Sequence, residues 1–322
     1  MSTASLLHPA RRRHGCDHRA PGAVVIGGDH QGLGIARSLG YRGIPVHVID
    51  DETSIARASR FVQHVTRVRD LRSASSLLDA LAVARRQLGR PGWVLYPTRD
   101  ENVAAVAANR DALEADFRVP TPGLASIRSV WDKRETYRLA GQLSIPIPRS
   151  WFPRTEADLA AIDMDGPLVV KPAIKEHFFY ATRAKAWRAD TPAELASCFR
   201  RAAKIVGPGE VIVQELIPGG GQEQYAFCAL FRDGRAIATM TVRRCRQHPS
   251  DFGRASTYVE TIDLPDLATP SIRFLNAIGY YGLAELEFKH DPRDGAYKLL
   301  DVNARTWGYH LSLIHISEPT RP

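Results

Sequence analysis

Hydrophobic and polar positions alternate most regularly near the end of the chain, over residues 281–305. Ala284, Leu286 and Phe288 alternate with Leu283, Glu285, Glu287 and Lys289, a period of two that predicts a strand with one buried face. Asp291, Pro292, Asp294 and Gly295 supply turn chemistry. The return strand sets Asp301, Asn303 and Arg305 on one face, with Leu300 and Val302 on the other. A turn centred on Asp294 brings Glu287 opposite Asp301, whereas a slip of one residue sends it to the wrong face.

The earlier pattern predicts an α/β chain. An apolar strand at 23–26 runs into GGDHQGLG, a helix follows over 33–39, and a second strand at 44–49 ends at Asp50. This is the opening of a doubly wound sheet. Its glycines do not fit G-x-G-x-x-G, so a Rossmann-like domain without NAD is the reading adopted, with a dinucleotide whose ribose meets Asp50 as the alternative. Strands at 62–68 and 93–96 flank a helix at 75–88. A helix over 100–114 and the linker VPTPG at 119–123 close this first domain, taken as residues 22–123.

Ser126 is the expected N-cap of one helix reaching residue 143, with Asp132 and Lys133 in its second turn. Beyond it, a strand at 168–171 ends in Lys171 and Pro172. Next come a basic, aromatic stretch, a helix over 192–206 and a strand at 211–214. Residues 224–231 and 235–242 form a hairpin turning on Asp233 and Gly234. Its return strand ends in Arg243, Arg244 and Arg246. A polar loop at 248–257 and a helix over 270–278 lead back to the terminal hairpin.

The 322 residues suffice for two domains, and the 44% hydrophobic and 24% charged content is that of a soluble globular protein. No apolar run approaches the roughly 20 residues of a membrane span. Residues 1–21 carry four arginines but no apolar segment, so they are expected to be a disordered basic tail rather than a secretory signal. Four scattered cysteines, without metal or disulfide spacing, suit a reducing cytoplasm. The net charge of +8 invites nucleic acid, but the basic residues are spread along the chain. A nucleoside triphosphate is an equally good anionic partner.

Carboxylates as close as Glu287 and Asp301 repel one another unless a cation lies between them. Hard oxygen ligands suit Mg²⁺, which bridges carboxylates to substrate phosphates. Asn303 adds a neutral oxygen, and Arg305 can meet negative charge developing on a transferred group. The plain alternative is an exposed hairpin with a solvated polar face. Three arginines within four residues suit polyphosphate, a substrate carboxylate, or simply water.

Taken in order, Lys133, LVVKP, VIVQELIPGG, LAELEF and LLDVNAR resemble the ATP-grasp superfamily of carboxylate–amine ligases, in particular D-aspartate ligase-like proteins, over residues 23–310. The resemblance implies a Rossmann-like pre-ATP-grasp domain followed by an ATP-grasp fold of two α+β subdomains at 124–310, with a lid at about 150–214. It assigns Lys133 and Lys171 to the ATP phosphates and Glu215, Leu216 and Ile217 to the adenine hinge. Glu223, or its neighbour Gln222, would meet the ribose, and Arg246 is carried with the nucleotide contacts. Glu287, Asp301 and Asn303 would hold Mg²⁺, or Mn²⁺ in its place, and Arg305 and Lys171 would act in catalysis. The implied reaction is ATP-dependent amide or peptide bond formation between a small carboxylate and an amine, through an acyl phosphate. Neither nucleic acid nor membrane is expected as a partner. An ATP-binding protein without catalysis and an NAD-dependent oxidoreductase are the competing readings.

Two departures from the family stand out. The lid stretch at 173–182 lacks the usual glycines, which leaves Lys175, His177 and Tyr180 as groups able to touch nucleotide or substrate. Residues 311–322 resemble translated sequencing-adaptor read-through, so the ATP-grasp fold is expected to be C-terminally truncated.

Overall fold

A run of four apolar residues needs cover on both faces, and β1 (Ala23–Ile26) has it, with Val24 and Ile26 in one apolar cluster and Val25 in another; within the sheet it lies between β2 (Val46–Asp50) and β4 (Trp93–Pro97), parallel to both. In the computed structural model, which describes residues 21–248, 252 and 255–310, β3 (Val62–Arg67) and β5 (Phe117–Arg118) complete a sheet of order β3-β2-β1-β4-β5. Helices α1 (His30–Gly40), α2 (Ala74–Leu88) and α3 (Asp100–Ala108) cross between parallel strands, as the sequence predicts. The helix expected over 100–114 breaks at Asn109 and resumes as α4 (Arg110–Leu113). The basic tail apart from Pro21, the tail at 311–322, Cys16 and part of the polar loop lie outside the described residues.

The single helix expected from Ser126 is two, α5 (Leu124–Trp131) and α6 (Lys133–Gln142). Aspartate competes for backbone N–H groups inside a helix and favours a cap. Asp132 accordingly adopts extended backbone and accepts a hydrogen bond from Arg134 N at 2.9 Å. Lys133 therefore opens α6 instead of lying in a second turn. Ser126 caps nothing; it lies inside α5 and donates to the Ile278 carbonyl at 2.6 Å.

A four-stranded antiparallel sheet follows, ordered β6-β9-β7-β8, from β6 (Ser150–Trp151), β7 (Leu168–Pro172), β8 (Trp187–Ala189) and β9 (Val211–Glu215). The glycine-free stretch forms a short helix, α7 (Lys175–Thr182), and α8 (Pro192–Val206) packs on this sheet. The third sheet is antiparallel, ordered β12-β11-β10-β13-β14. It comprises β10 (Gln224–Arg232), β11 (Arg235–His248), β12 (Ala255–Thr261), β13 (Gly282–His290) and β14 (Tyr297–Asn303). Strand β12 corrects the expected polar loop: an uncovered β11 would leave a long row of unpaired backbone groups. Helix α9 (Ala268–Ala277) covers this sheet together with α5 and one face of α3.

That shared core includes Phe227, Phe274, Phe288, Ile127, Val130 and Val103. Each such side chain contributes about 1.5–3 kcal/mol on burial, so the front and central sheets are packed as one body. At the junction Gly282 has φ 113°, and a Cβ there would lie 2.2 Å from the Pro120 carbonyl oxygen. Among the described residues, no helix is long and apolar enough to cross a membrane.

Candidate functional site

The β13–β14 hairpin brings the acidic side chains together by a bulge. Next to the turn, His290 pairs with Tyr297, Lys289 with Lys298 and Phe288 with Leu299. Continued without interruption, that register would set Glu287 against Leu300. Leu300 bulges out instead, and Glu287 pairs with Asp301 and Glu285 with Asn303. The pairing expected for Glu287 and Asp301 is therefore present, fixed by the bulge rather than by the turn alone.

Glu285 and Glu287 lie two residues apart on one face and share a single amide. Asn303 Nδ2 donates to Glu285 Oε2 at 3.1 Å and to Glu287 Oε1 at 3.0 Å. The other Glu285 oxygen accepts from Tyr309 Oη at 2.7 Å. Burial first, and then the charge of Glu287, push the Glu285 carboxyl up to about 7. Glu285 was not singled out from sequence, although it has the same parity as Glu287. Arg244 Nη2 reaches Glu287 at 3.3 Å.

Arg305 donates to Asn303 Oδ1 at 2.9 Å and grips Asp100, the first residue of α3, with Nε–Oδ1 at 2.6 Å and Nη2–Oδ2 at 3.1 Å. Lys175, from α7, pairs with the same Asp100 and with Glu176. Burial opposes ionisation of Asp100, but Arg305 and Lys175 outweigh it and hold the carboxyl far below its usual range. Asp301 accepts from Lys133 Nζ at 2.5 Å. Burial works against that pair as well, yet Asp301 is held low and Lys133 high by their mutual attraction. Lys133, Lys175, Asp100, Asp301 and Asn303 line one concavity, walled by Val103, Ile127 and Trp131.

Lys171 points toward this centre from β7, donating to Tyr137 Oη at 2.6 Å and Gln214 Oε1 at 2.7 Å. Tyr137 in turn donates to the Leu300 carbonyl at 2.8 Å. Lys185, a cation just beyond α7 that sequence reasoning missed, is pulled down to about 8, by burial first and with Glu287 opposing. Of the other residues in the glycine-free stretch, His177 turns to Glu210 and Tyr180 donates to Glu101.

Arg246 does not join the group. Strand alternation would set it on the face of Arg244, but β11 is irregular between Arg244 and Gln247. Gln247 consequently shares the face of Arg244, accepting from it at 3.1 Å, and Arg246 donates to Thr257 on β12. Arg244 is the member of the arginine cluster that meets the acidic centre.

Glu215, Leu216, Ile217 and Glu223 gather at the turn end of β13. The buried Glu215 carboxylate accepts from Arg149 N at 2.8 Å, Arg293 Nη2 at 2.8 Å and Lys298 Nζ at 3.3 Å. It serves as an anchor that ties β9 to the β13–β14 hairpin. Leu216 N donates to the Pro167 carbonyl at 3.0 Å, and the Ile217 carbonyl accepts from Lys289 Nζ at 2.8 Å. Glu223 pairs with His290 at 3.2 Å.

In the front sheet, Asp50 is fully buried and accepts from Gly28 N at 3.0 Å and Asp51 N at 2.9 Å. A Cβ on Gly28 would lie 2.6 Å from the Asp50 carboxylate, so the glycine turn closes on Asp50 itself. The alternative of a ribose on Asp50 finds that carboxylate already engaged.

The donor set fits a divalent cation. Two neighbouring carboxylates, one of them buried and with no ion-pair partner among the described residues, are the arrangement a hard metal ion relieves. Among the described residues no three His, Cys, Asp or Glu side chains converge as a ligand group, so the set is two carboxylates and an amide.

No family model matches the chain. It is 24% identical over 301 residues to the D-aspartate ligase of Enterococcus faecium (strain Aus0004), covering 88% of this chain and 70% of that protein. Its structure matches the L-amino acid ligase of Bacillus licheniformis with a TM-score of 0.66 at 15% identity, over 91% of this chain and 69% of the other. The biotin carboxylase of Campylobacter jejuni, in its β-γ-ATP complex, matches with a TM-score of 0.67 at 14% identity, over 91% and 67%. The fold is the ATP-grasp fold. In this chain the acidic hairpin, α7 with Lys175 and the front sheet all meet at the concavity described above.

Proposed function

We propose that the chain is an ATP-dependent carboxylate–amine ligase. The observation that carries this reading is the convergence of Glu285, Glu287, Asn303 and Arg305 on one hairpin face with Lys133 and Lys175 around it. The likeness to a named D-aspartate ligase supports it. ATP would transfer its terminal phosphoryl group to a small carboxylate. An amine would then attack the acyl phosphate, giving an amide, ADP and phosphate.

Lys133, Lys171 and Lys175 supply fixed positive charge for the phosphates. Glu285, Glu287 and Asn303 would hold Mg²⁺, and Asp301, expected among the ligands from sequence, is the ion-pair partner of Lys133. The metal supplies charge neutralisation between phosphate oxygens. Arg305 is positioned to meet the negative charge that develops on the acyl oxygen. The backbone at Glu215, Leu216 and Ile217 would border the adenine, with Glu223 near the ribose. The front unit, residues 22–123, and the lid, about 150–214, enclose the site of the unit at 124–310. No protein nucleophile is required, because positioning and electrostatics suffice.

The test is ADP release with Mg²⁺ across pairs of carboxylates, D- and L-amino acids first, and amines. Release that requires both partners supports the proposal. ATP binding without acid-dependent ADP release leaves a nucleotide-binding protein instead.

A further inference from the structure

Arg305 and Lys175 are two cations at the candidate site, and both already grip the same carboxylate. The anion is Asp100, which belongs to neither of their structural units. Arg305 follows the central hairpin, Lys175 opens the lid helix, and Asp100 opens α3 of the front sheet. The guanidinium holds Asp100 through two hydrogen bonds, at 2.6 and 3.1 Å, in the fork geometry with which arginine takes a carboxylate. The lysine closes on one of the same two oxygens. Only 17% of the Asp100 side-chain surface is exposed, so the contact lies where charge is weakly screened. A second tie runs beside it: Tyr180, also on α7, donates to Glu101 at 2.5 Å.

We propose that Asp100 is a built-in occupant of an anion seat formed by Arg305 and Lys175. A phosphoryl or carboxylate group of a substrate enters by displacing it, and the displacement unfastens the lid helix from the front sheet. The proposal rests on the reading that the concavity receives anionic substrates. It explains why an acid stands at the mouth of a site whose other work is to attract negative charge. With the seat empty, two partly buried cations would face each other with Glu176 beside Lys175 as the remaining carboxylate; Asp100 supplies the shared counter-charge until a ligand does so. The exchange is one ion pair for another, so the ligand gains affinity only by the difference between them. Asp100 thereby sets a threshold that weakly held anions do not cross.

The test uses the full chain and its Asp100→Asn variant, which keeps size and loses charge. Pyrophosphate, for the phosphoryl source, and succinate, for the carboxylate source, are titrated calorimetrically into each. The variant is expected to bind at least one of the two about tenfold more tightly than wild type, the one that gains identifying the natural occupant. Protease cleavage within residues 173–186 of the ligand-free protein should rise by a similar factor. Asp100→Ser repeats the comparison should the amide variant not fold. Equal or weaker binding of both anions by variants that are folded overturns the proposal. Failure of the ligase reading has a different signature: no acid and amine pair releases ADP from wild type, whatever the anion affinities.

Discussion

The two ends of one hairpin carry the same kinds of side chain and do opposite things with them. At the turn end, Asp291 and Glu215 are met by Arg293 and Lys298 within 2.6–3.3 Å, and charge balances charge. At the far end, Glu285 and Glu287 share a neutral amide, and the buried Glu285 has a tyrosine hydroxyl as its other partner. A balanced buried cluster staples β13, β14 and β9. The far end is less evenly balanced: Arg244 reaches Glu287 at 3.3 Å, while Glu285 meets only an amide and a hydroxyl among the described residues.

The largest expected difference between the ends is in stability. Asp291→Ala leaves Lys298 buried without its 2.6 Å partner and should cost about 3–5 kcal/mol in urea unfolding. Glu287→Gln removes a like charge beside Glu285 but also the carboxylate partner of Arg244, so it should shift the unfolding midpoint less than Asp291→Ala does. If both substitutions destabilise equally, the contrast is wrong. In activity the order reverses: Glu287→Gln should lower the rate of ADP release by about 10²–10³, the scale of losing one preorganised electrostatic contact.

Acid and base should also act on the two ends with opposite sign. Asp291 is held below its ordinary value near 3.8, by its bonds to Arg293 and Lys298. Its contribution is complete above that value and is lost as pH falls through the lower, folded one. Glu285 is raised from near 4.5 to about 7 by burial and by Glu287. The folded protein binds that proton more tightly, so stability without metal should fall as pH rises across this window. Glu285→Gln should flatten the slope between pH 5 and 7, read from denaturant midpoints at about half-unit intervals. The smallest effect is expected at Arg246, away from both ends. Arg246→Ala should stay within about 0.5 kcal/mol of wild type, whereas Arg244→Ala should raise KM for ATP.

Much of the frame was legible because it rests on local pattern. The apolar run of β1, the helix over 192–206 and the turn at Asp233 and Gly234 each follow from a few neighbours. The two-residue period likewise brought Glu287, Asn303 and Arg305 to attention. It pointed equally to Glu285, which was passed over because an acidic residue beside a metal candidate reads as ordinary strand polarity. What pattern could not reveal depends on contacts across long separations. Position on a helix gives Lys133 no distinction, and the resemblance alone singles it out; its ion pair with Asp301, 168 positions later, is a contact no local pattern reveals. Asp100 is an acid at a helix N-terminus, and nothing local announces two cations from other elements. The irregularity that separates Arg246 from Arg244 arises from pairing with β12, a strand the polar sequence concealed.

The central claim is that the far end of the hairpin takes a divalent cation together with a nucleotide. Calorimetric titration of a non-hydrolysable ATP analogue, with and without Mg²⁺, into wild type and Glu287→Gln tests it directly. The account predicts one binding event per chain that requires Mg²⁺ and is lost in the variant. Binding that is indifferent to Mg²⁺, or equal in the two proteins, would contradict it.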